Sequence, residues 1–343
     1  MKRIFCFFVF LFIIVTQMDA QNKALRKYYY WVNQAELAIC DSNYQKASDC
    51  YDKAFTFHRP FSRHAYFAIK VNRYYLNNME RSMSCFRFLA QMGEKPEWYA
   101  DSLAEAYLFR QLKSIYDTTN CLVNTDLATS LREIEKSDQE IRWMEYEDEA
   151  TAFAAYRDVD SINLLKIKEL YKTYPEISDY TADGSPLLTA FYTHVSRSFL
   201  FDPSTILLKE VRKGNIAADQ YAFNEDQWKC LCINPQLDNE EETIYGTNAN
   251  CIFMIDSIVF FLQPEKVKKV DKERRKIGLS ETWTDFIKKA EFVYTHETEF
   301  RFIPINNKWY PSEKASAEIE QWIKSIEKGE RNGFYIVVPK ELR

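Results

Sequence analysis

ALRKYYYWVNQAELAICDSNYQKASDCYDKAFTF, residues 24–57, reads as two helices folded back on one another. Along it Trp31, Ala35, Ala47, Tyr51 and Ala54 run large, small, small, large, small. Small side chains let two helix axes approach, and large ones fill the groove between them. Asp41-Ser42-Asn43 supplies the turn, because short polar side chains bond to the nearby backbone. Arg59-Pro60 ends the second helix, since a proline offers no N–H and clashes with the preceding turn.

That spacing resembles a tetratricopeptide repeat. It recurs in weaker form downstream. Tyr66 and Ala68 open a third helix, Ser82, Phe86 and Leu89 mark a fourth, and Gly93 and Pro96 stop it. Trp98, Ala104 and Tyr107 start a fifth, with another helix near Leu112–Tyr116. Residues 22–120 are therefore expected to stack about three helical hairpins as a short solenoid. An irregular helical bundle gives the same secondary structure. Only the solenoid offers a concave face for a protein or peptide partner.

Upstream, Lys2 and Arg3 precede an unbroken apolar run from Ile4 to Val15, followed by polar residues and Ala20-Gln21. This is the layout of a secretory signal peptide over residues 1–20. Twelve apolar residues fall short of the ~30 Å of hydrocarbon that a spanning helix must cross. An uncleaved anchor is the alternative. Cys6 lies too early in the run for a lipid-attachment cysteine. The expectation is an exported chain, periplasmic or secreted, with no integral membrane segment after cleavage.

Removing Lys2, Arg3 and Asp19 from 45 Lys+Arg and 50 Asp+Glu leaves 43 against 49, a net charge of −6. No basic face for nucleic acid is expected from such a balance. With 7 Gly and 10 Pro the composition favours helices, and an aromatic content of 16% fits helix–helix packing by Tyr and Phe. Seven cysteines remain after cleavage: Cys40, Cys50, Cys85, Cys121, Cys230, Cys232 and Cys251. The odd number leaves at least one thiol unpaired or paired between chains. Cys230-Leu231-Cys232 is neither a CxxC motif nor half of a zinc site; Cys230 or Cys232 with Cys251 is the expected pair. Four scattered histidines argue against a His-rich metal site, and no cofactor is implied.

Asn120–Asp126 reads as a linker into a second, mainly helical domain over 127–290. Helices are expected from Leu127 to Tyr146, after Asp158 to Tyr171, from Ser185-Pro186 through Leu188, Phe191, Val195 and Phe199, and from Pro203 to Gly214. Ile252–Ile255 and Ile258–Phe261 are β-prone. Charged and amphipathic helices follow, Glu265 to Arg275 and Thr282 to Ala290. In the α/β tail, 291–343, Phe300–Ile303 and Phe334–Val338 read as strands pairing around a helix from Ala315 to Lys328. The fold class is mainly α.

Within 127–290 short polar motifs fall in order. Asp138-Gln139 precedes Arg142 on one helical face, and Asp160 and Asn163 sit three apart. His194 lies on an apolar helix. Asp226 follows Tyr221-Ala222-Phe223, then come Tyr245-Gly246-Thr247-Asn248 and Arg274-Arg275-Lys276-Ile277-Gly278-Leu279. This series resembles a bacterial family of helical domains of unknown function. Its members carry an Asp-Gln-x-x-Arg helix, an Asp-x-x-Asn helix, a Gly-Trp-Pro turn, a helical His, an Asp-Arg pair, a Tyr-Gly-Thr-Gln turn and an Arg-Arg-x-x-Gly-Leu segment. Here the Gly-Trp-Pro turn is Thr173-Tyr174-Pro175, the Asp-Arg pair is Asp226-Gln227 and the Tyr-Gly-Thr-Gln turn ends in Asn248. Losing the arginine beside Asp226 removes a fixed positive charge for any anionic substrate.

Chemically, His194 as general base, Asp226 as its orienting partner and Thr247 beside a developing oxyanion would make a hydrolase or transferase. Arg142 or Arg274 would hold a carboxylate or phosphate. The structural alternatives are equally definite: a buried network of Asp138, Arg142 and Asp160, a core histidine between Phe191 and Val195, a solvated or capping role for Arg274 and Arg275, and a tight turn at 245–248. No GxSxG, HExxH, Walker or dinucleotide pattern is present. Two functions follow: an exported binding protein that engages a protein or peptide through the N-terminal array, or a periplasmic hydrolase using the polar cluster.

Overall fold

The computed structural model describes residues 23–100, 102–103, 105–174, 177–178, 204–228, 243–247, 252–255, 257–264, 266–302, 312–330, 332–339 and 341. The chain is mainly α, with a small antiparallel sheet. Helix α1 covers 23–40 and α2 Tyr44–Phe55. The hairpin turn is as expected: Ser42 takes a positive φ of 55°, and the Asn43 side chain accepts the Lys46 N–H to cap α2. Ala35, Ala47, Tyr51 and Ala54 are completely buried, and Trp31 is half-buried against the same core.

α3 is Ser62–Lys70, extended by a π-helical turn over Val71–Tyr75. α4 is Met79–Gln91, capped by Asn78. The third hairpin departs from expectation. Pro96–Trp98 forms a single 3₁₀ turn, and one helix, α5, Ala106–Thr118, follows. Trp98 and Tyr107 are exposed rather than packed, so they cannot act as the large residues of a third repeat.

α6 is Thr125–Arg142 and α7 is Glu149–Thr173. α7 begins some ten residues before the expected start at Asp158. Asp148 accepts the Thr151 N–H and caps it, and alanine-rich turns carry the helix where apolar periodicity is weak. These two helices pack on each other through Ile134, Leu164 and Ile167, and Leu127 and Leu131 of α6 pack with Leu170 of α7 and with Ile177 beyond its end.

Next come α8, Ser204–Arg212, and α9, Ala218–Trp228. The sheet follows. β1, Ile252–Ile255, pairs with β2, Ile258–Leu262, in register Ile252↔Phe261. α10 is Val267–Lys276; α11 is Trp283–Thr295, opened by a Thr282–Asp285 capping box; α12 is Ser312–Glu327. β3, Gly333–Val337, pairs with the other edge of β2, Ile258↔Val337. The tail strand therefore completes the 252–262 hairpin. Phe300–Phe302 does not pair with it: both rings are buried against Phe67 of α3, at 5.6 and 5.4 Å between centroids. β2 shows the period of two, with Val259 and Phe261 in the main core and Phe260 and Leu262 beneath Trp322 and Ile323 of α12.

One hydrophobic core crosses the boundary expected near residue 120. It runs from Leu25 through α1–α5 to α8–α11 and Phe302, while α6 and α7 keep separate small clusters. No helix among the described residues is long and apolar enough to cross a membrane. The helix expected from Ser185, and with it His194, lies outside the described residues, as do Asn248, Cys230, Cys232 and Cys251. Cys40, Cys50, Cys85 and Cys121 are free thiols.

Candidate functional site

The expected site residues fall into two separate clusters. The first is on α6 and α7. Arg142 donates from Nε and Nη2 to Asp138 Oδ1 at 3.1 and 2.9 Å, and from Nη2 to Asp160 Oδ1 at 2.7 Å. Gln139 donates to Asp138 Oδ2, and Asn163 accepts from Ser137. The Arg142 guanidinium also lies 4.9 Å from the Tyr156 ring centre. These residues stitch two helices together, and Asp138, Asp160 and Asn163 are buried in the seam.

The second cluster centres on Asp226, at the end of α9 and 0% exposed. Its carboxylate accepts the backbone N–H groups of Ile244 at 2.7 Å, Tyr245 at 3.0 Å and Thr247 at 2.8 Å, and the hydroxyls of Thr243 and Thr247. The Gly246 N–H goes to Thr243 Oγ1. Every N–H from 244 to 247 is thus spent inside the protein. The oxyanion role expected of this turn is corrected: its donors already bind an anion, the carboxylate of Asp226. Gly246 has φ +67°, and a Cβ there would lie 2.6 Å from the Trp283 ring. Only glycine suits both the backbone and the contact.

Arg274 joins this cluster. It is fully buried, whereas its neighbour Arg275 is exposed, so the solvated-face reading holds for only one of the pair. Its Nε donates to the Tyr245 carbonyl at 2.7 Å, its Nη1 bonds Glu281, and its guanidinium lies 4.8 Å from the Phe286 ring centre.

From Arg274 a chain of charges runs back to the N-terminal array. Glu281 bonds Lys289 of α11, and Lys289 Nζ donates to Glu36 of α1 at 2.5 Å. Glu36 faces Arg63 of α3 at 3.9 Å, and Arg63 pairs with Asp219 of α9. Beside them, Tyr28 bonds His64 Nδ1 at 2.6 Å while its oxygen accepts the Phe61 N–H. Asn33 donates to Asp285 at 3.1 Å.

Burial sets the electrostatics. It pushes Glu36 above the usual carboxylate range, and Lys289 and Arg63 offset this only in part. For Glu281 and Asp219 burial pushes the same way, but Lys289 with Arg274, and Arg63, respectively, overcome it and hold both below their ordinary values. Lys289 is desolvated, yet Glu281 and Glu36 keep it firmly protonated, above its ordinary value. His64 is driven down to about 3 by burial and stays neutral.

Glu36, Arg63, His64, Asp219, Glu281 and Lys289 border a cleft of about 30 Å³ between α1, α3, α9 and α11.

No family model, no curated protein and no solved structure matches this chain.

Reading the residues had missed Glu36, Arg63, Asp219, Glu281 and Lys289. A signal was there. Glu36 lies four after Val32 and three before Ile39, and Lys289 three after Phe286, so each charge interrupts an apolar stripe. Among the described residues no group of three or more His, Cys, Asp or Glu is placed to hold a metal ion.

Proposed function

We propose that the chain is an exported binding protein whose ligand enters the cleft between the N-terminal hairpins and α9–α11. One observation carries this reading. Asn33, Glu36, Arg63 and Asp219 line a single cleft, and each holds one buried polar atom without a hydrogen-bond partner: Asn33 Oδ1, Glu36 Oε1, Arg63 Nε and Asp219 Oδ1. An unmet buried polar atom costs roughly 1–3 kcal/mol, an expense usually retained where binding needs it. Charge clusters that desolvation perturbs inside a cleft are also characteristic of functional sites.

The expected partner surface changes accordingly. α1 and α3 meet the chain's own second half: Asn33 meets Asp285, Glu36 meets Lys289, Arg63 meets Asp219 and Phe67 meets Phe300. A peptide lying across this face would have to displace α11, so a ligand's end group entering the cleft is the economical reading. Acid–base catalysis is disfavoured because both Asp226 oxygens are committed to the 243–247 turn. Membership in the bacterial family of unknown function remains part of the proposal. It is supported by three of the motifs, at Asp226, Tyr245-Gly246-Thr247 and Arg274, meeting in one cluster.

The test is a thermal-shift screen of chemically diverse small molecules against the mature protein and against Asn33→Ala. A compound that raises Tm in the parent and fails to do so in the variant supports the cleft. Equal shifts in both, for every hit, place the ligand elsewhere. The mass of the protein recovered after export, starting near Gln21, checks the leader.

A further inference from the structure

We infer that a second site, outside the cleft described above, binds a small organic anion: an oxyanion head on a short apolar arm. It is a cavity of about 60 Å³ lined by Leu25, Arg26, Arg212, Lys276, Ile277 and Gly278. Three of these residues are cations and none is an acid. They come from three parts of the chain: the start of α1, the end of α8 and the end of α10.

The fold holds these parts together. Ser280 Oγ donates to the Arg26 carbonyl at 3.1 Å, which ties the segment after α10 to α1. The Ala218 N–H donates to the Tyr29 hydroxyl at 2.7 Å, which ties the segment after α8 to the same helix. α10 ends in a Schellman turn, in which the Leu279 N–H returns to the Arg274 carbonyl and Gly278 takes φ +94°. That glycine sits on Leu25, whose Cδ2 lies 3.5 Å from where a Cβ would stand. Leu25, Ile277 and Gly278 are buried and make an apolar floor, whereas Arg26, Arg212 and Lys276 are exposed and make the rim.

The rim charges are open to a ligand. Among the described residues neither Arg26 nor Arg212 has an ion pair. Lys276 bonds Glu273 at 2.7 Å, an exposed pair three residues apart of the kind that contributes little. Arg142 and Arg274, the two arginines expected to hold an anion, are instead spent on the chain's own carboxylates. Helix dipoles account for two of the rim cations, because Arg212 and Lys276 stand in the last turns of their helices, where positive charge is favoured. They do not account for Arg26, which stands in the first turn of α1 with Lys23 and Lys27, where positive charge is disfavoured. In a chain with 45 basic and 50 acidic residues, three cations around one cavity concentrate a positive field against the overall sign.

This lining selects its ligand. Guanidinium groups present paired N–H donors that match the oxygens of a carboxylate or a phosphate. The cavity holds roughly four waters, or one oxyanion with a carbon or two behind it, and the floor suits that carbon. A nucleic acid would need phosphate contacts along a whole face, which three cations do not supply. The same head and arm belong to a short carboxylic acid and to a phosphate ester.

The experiment is calorimetric titration of the full mature protein, at low salt, with propionate and with ethyl phosphate. Formate and inorganic phosphate carry the head alone, ethanol the arm alone, and ethylamine the wrong charge. Saturable binding of propionate or ethyl phosphate is expected, tighter than that of every control and weakened at least about tenfold by Arg26→Gln and by Arg212→Gln. Both side chains are exposed, so the two variants should keep the parent's urea midpoint. Tighter binding of ethyl phosphate assigns the head to a phosphate ester, and tighter binding of propionate to a carboxylate. Formate and inorganic phosphate binding as tightly as their longer counterparts overturns the apolar arm. Ethanol or ethylamine binding as tightly as the anions, binding that both variants leave unchanged, or no binding by any probe overturns the site.

Discussion

Lys289 Nζ lies 2.5 Å from Glu36 Oε2, two nearly inaccessible side chains 253 positions apart. The pair fixes α11 to α1. Removing one partner of a buried ion pair typically costs about 3–5 kcal/mol, because the other charge is left uncompensated. Lys289→Met should lose that much, since it leaves Glu36 with only Arg63 at 3.9 Å and Glu281 with only Arg274. Introduced into Glu36→Gln, the same change should cost less than it does in the parent. A double-mutant cycle in urea reads the coupling, and additivity within about 0.5 kcal/mol would show the contact to be energetically idle.

Asp226→Asn tests whether the carboxylate clamps the 243–247 turn. Asparagine offers one acceptor oxygen and points donors at N–H groups that already donate. Hydrogen bonds to a charged group contribute about 1.5–3 kcal/mol each. A loss of at least about 2 kcal/mol is expected, with faster hydrogen exchange at the Tyr245 and Thr247 amides. Unchanged exchange at those two amides would contradict the clamp.

Gly246→Ala must adopt φ +67° and place a methyl 2.6 Å from Trp283 Cδ1. The left-handed backbone alone costs about 1–2 kcal/mol for a non-glycine residue. Urea unfolding followed by tryptophan fluorescence should show a larger loss than that. In Gly329→Ala nothing lies within 4 Å, although φ is +70°, so only the backbone cost is expected there.

His64 predicts the response to mild acid. Its folded pKa, about 3, lies below the ordinary histidine value, so only the unfolded chain gains a proton as pH falls past about 6.5. Stability is therefore present at neutral pH and lost on acidification, by up to about 1.4 kcal/mol per pH unit, with His58 adding a loss of the same sign. Urea midpoints at pH 7 and pH 5 should differ in the parent and differ less in His64→Gln. Asp219 and Glu281, held low, add their losses only at more acidic pH, whereas the raised Glu36 acts in the opposite sense. The same shift between pH 7 and 5 in the parent and in His64→Gln would exclude a neutral, buried His64.

What could be read from the residues was local. The Asp41–Asn43 turn and the Ala35, Ala47, Ala54 contacts depend on neighbours within one hairpin, and both appear as expected. Phe300 and Phe302 show the limit of such patterns. The β-prone run suggested a strand beside the tail strand, whereas both rings lie against Phe67. The charge chain was less legible still. A glutamate on an apolar stripe signals a partner, yet nothing in the stripe says that the partner is Lys289. The expected boundary near 120 had a similar cause: a polar linker suggests a division, while the packing of α8–α11 on α1–α5 joins residues across it.

The separation of Glu36 from Lys289 also sets a schedule for folding. At synthesis rates of about 5–20 residues per second, Lys289, 253 positions after Glu36, takes roughly 13–50 s longer to appear. Throughout that interval the first hairpins carry a carboxylate, an arginine and a set of aromatic rings with no opposing surface. Contacts of such span also make for slow collapse once the chain is complete. The N-terminal hairpins are thus obliged to wait for their own other half, and during that wait a holding chaperone would find them open.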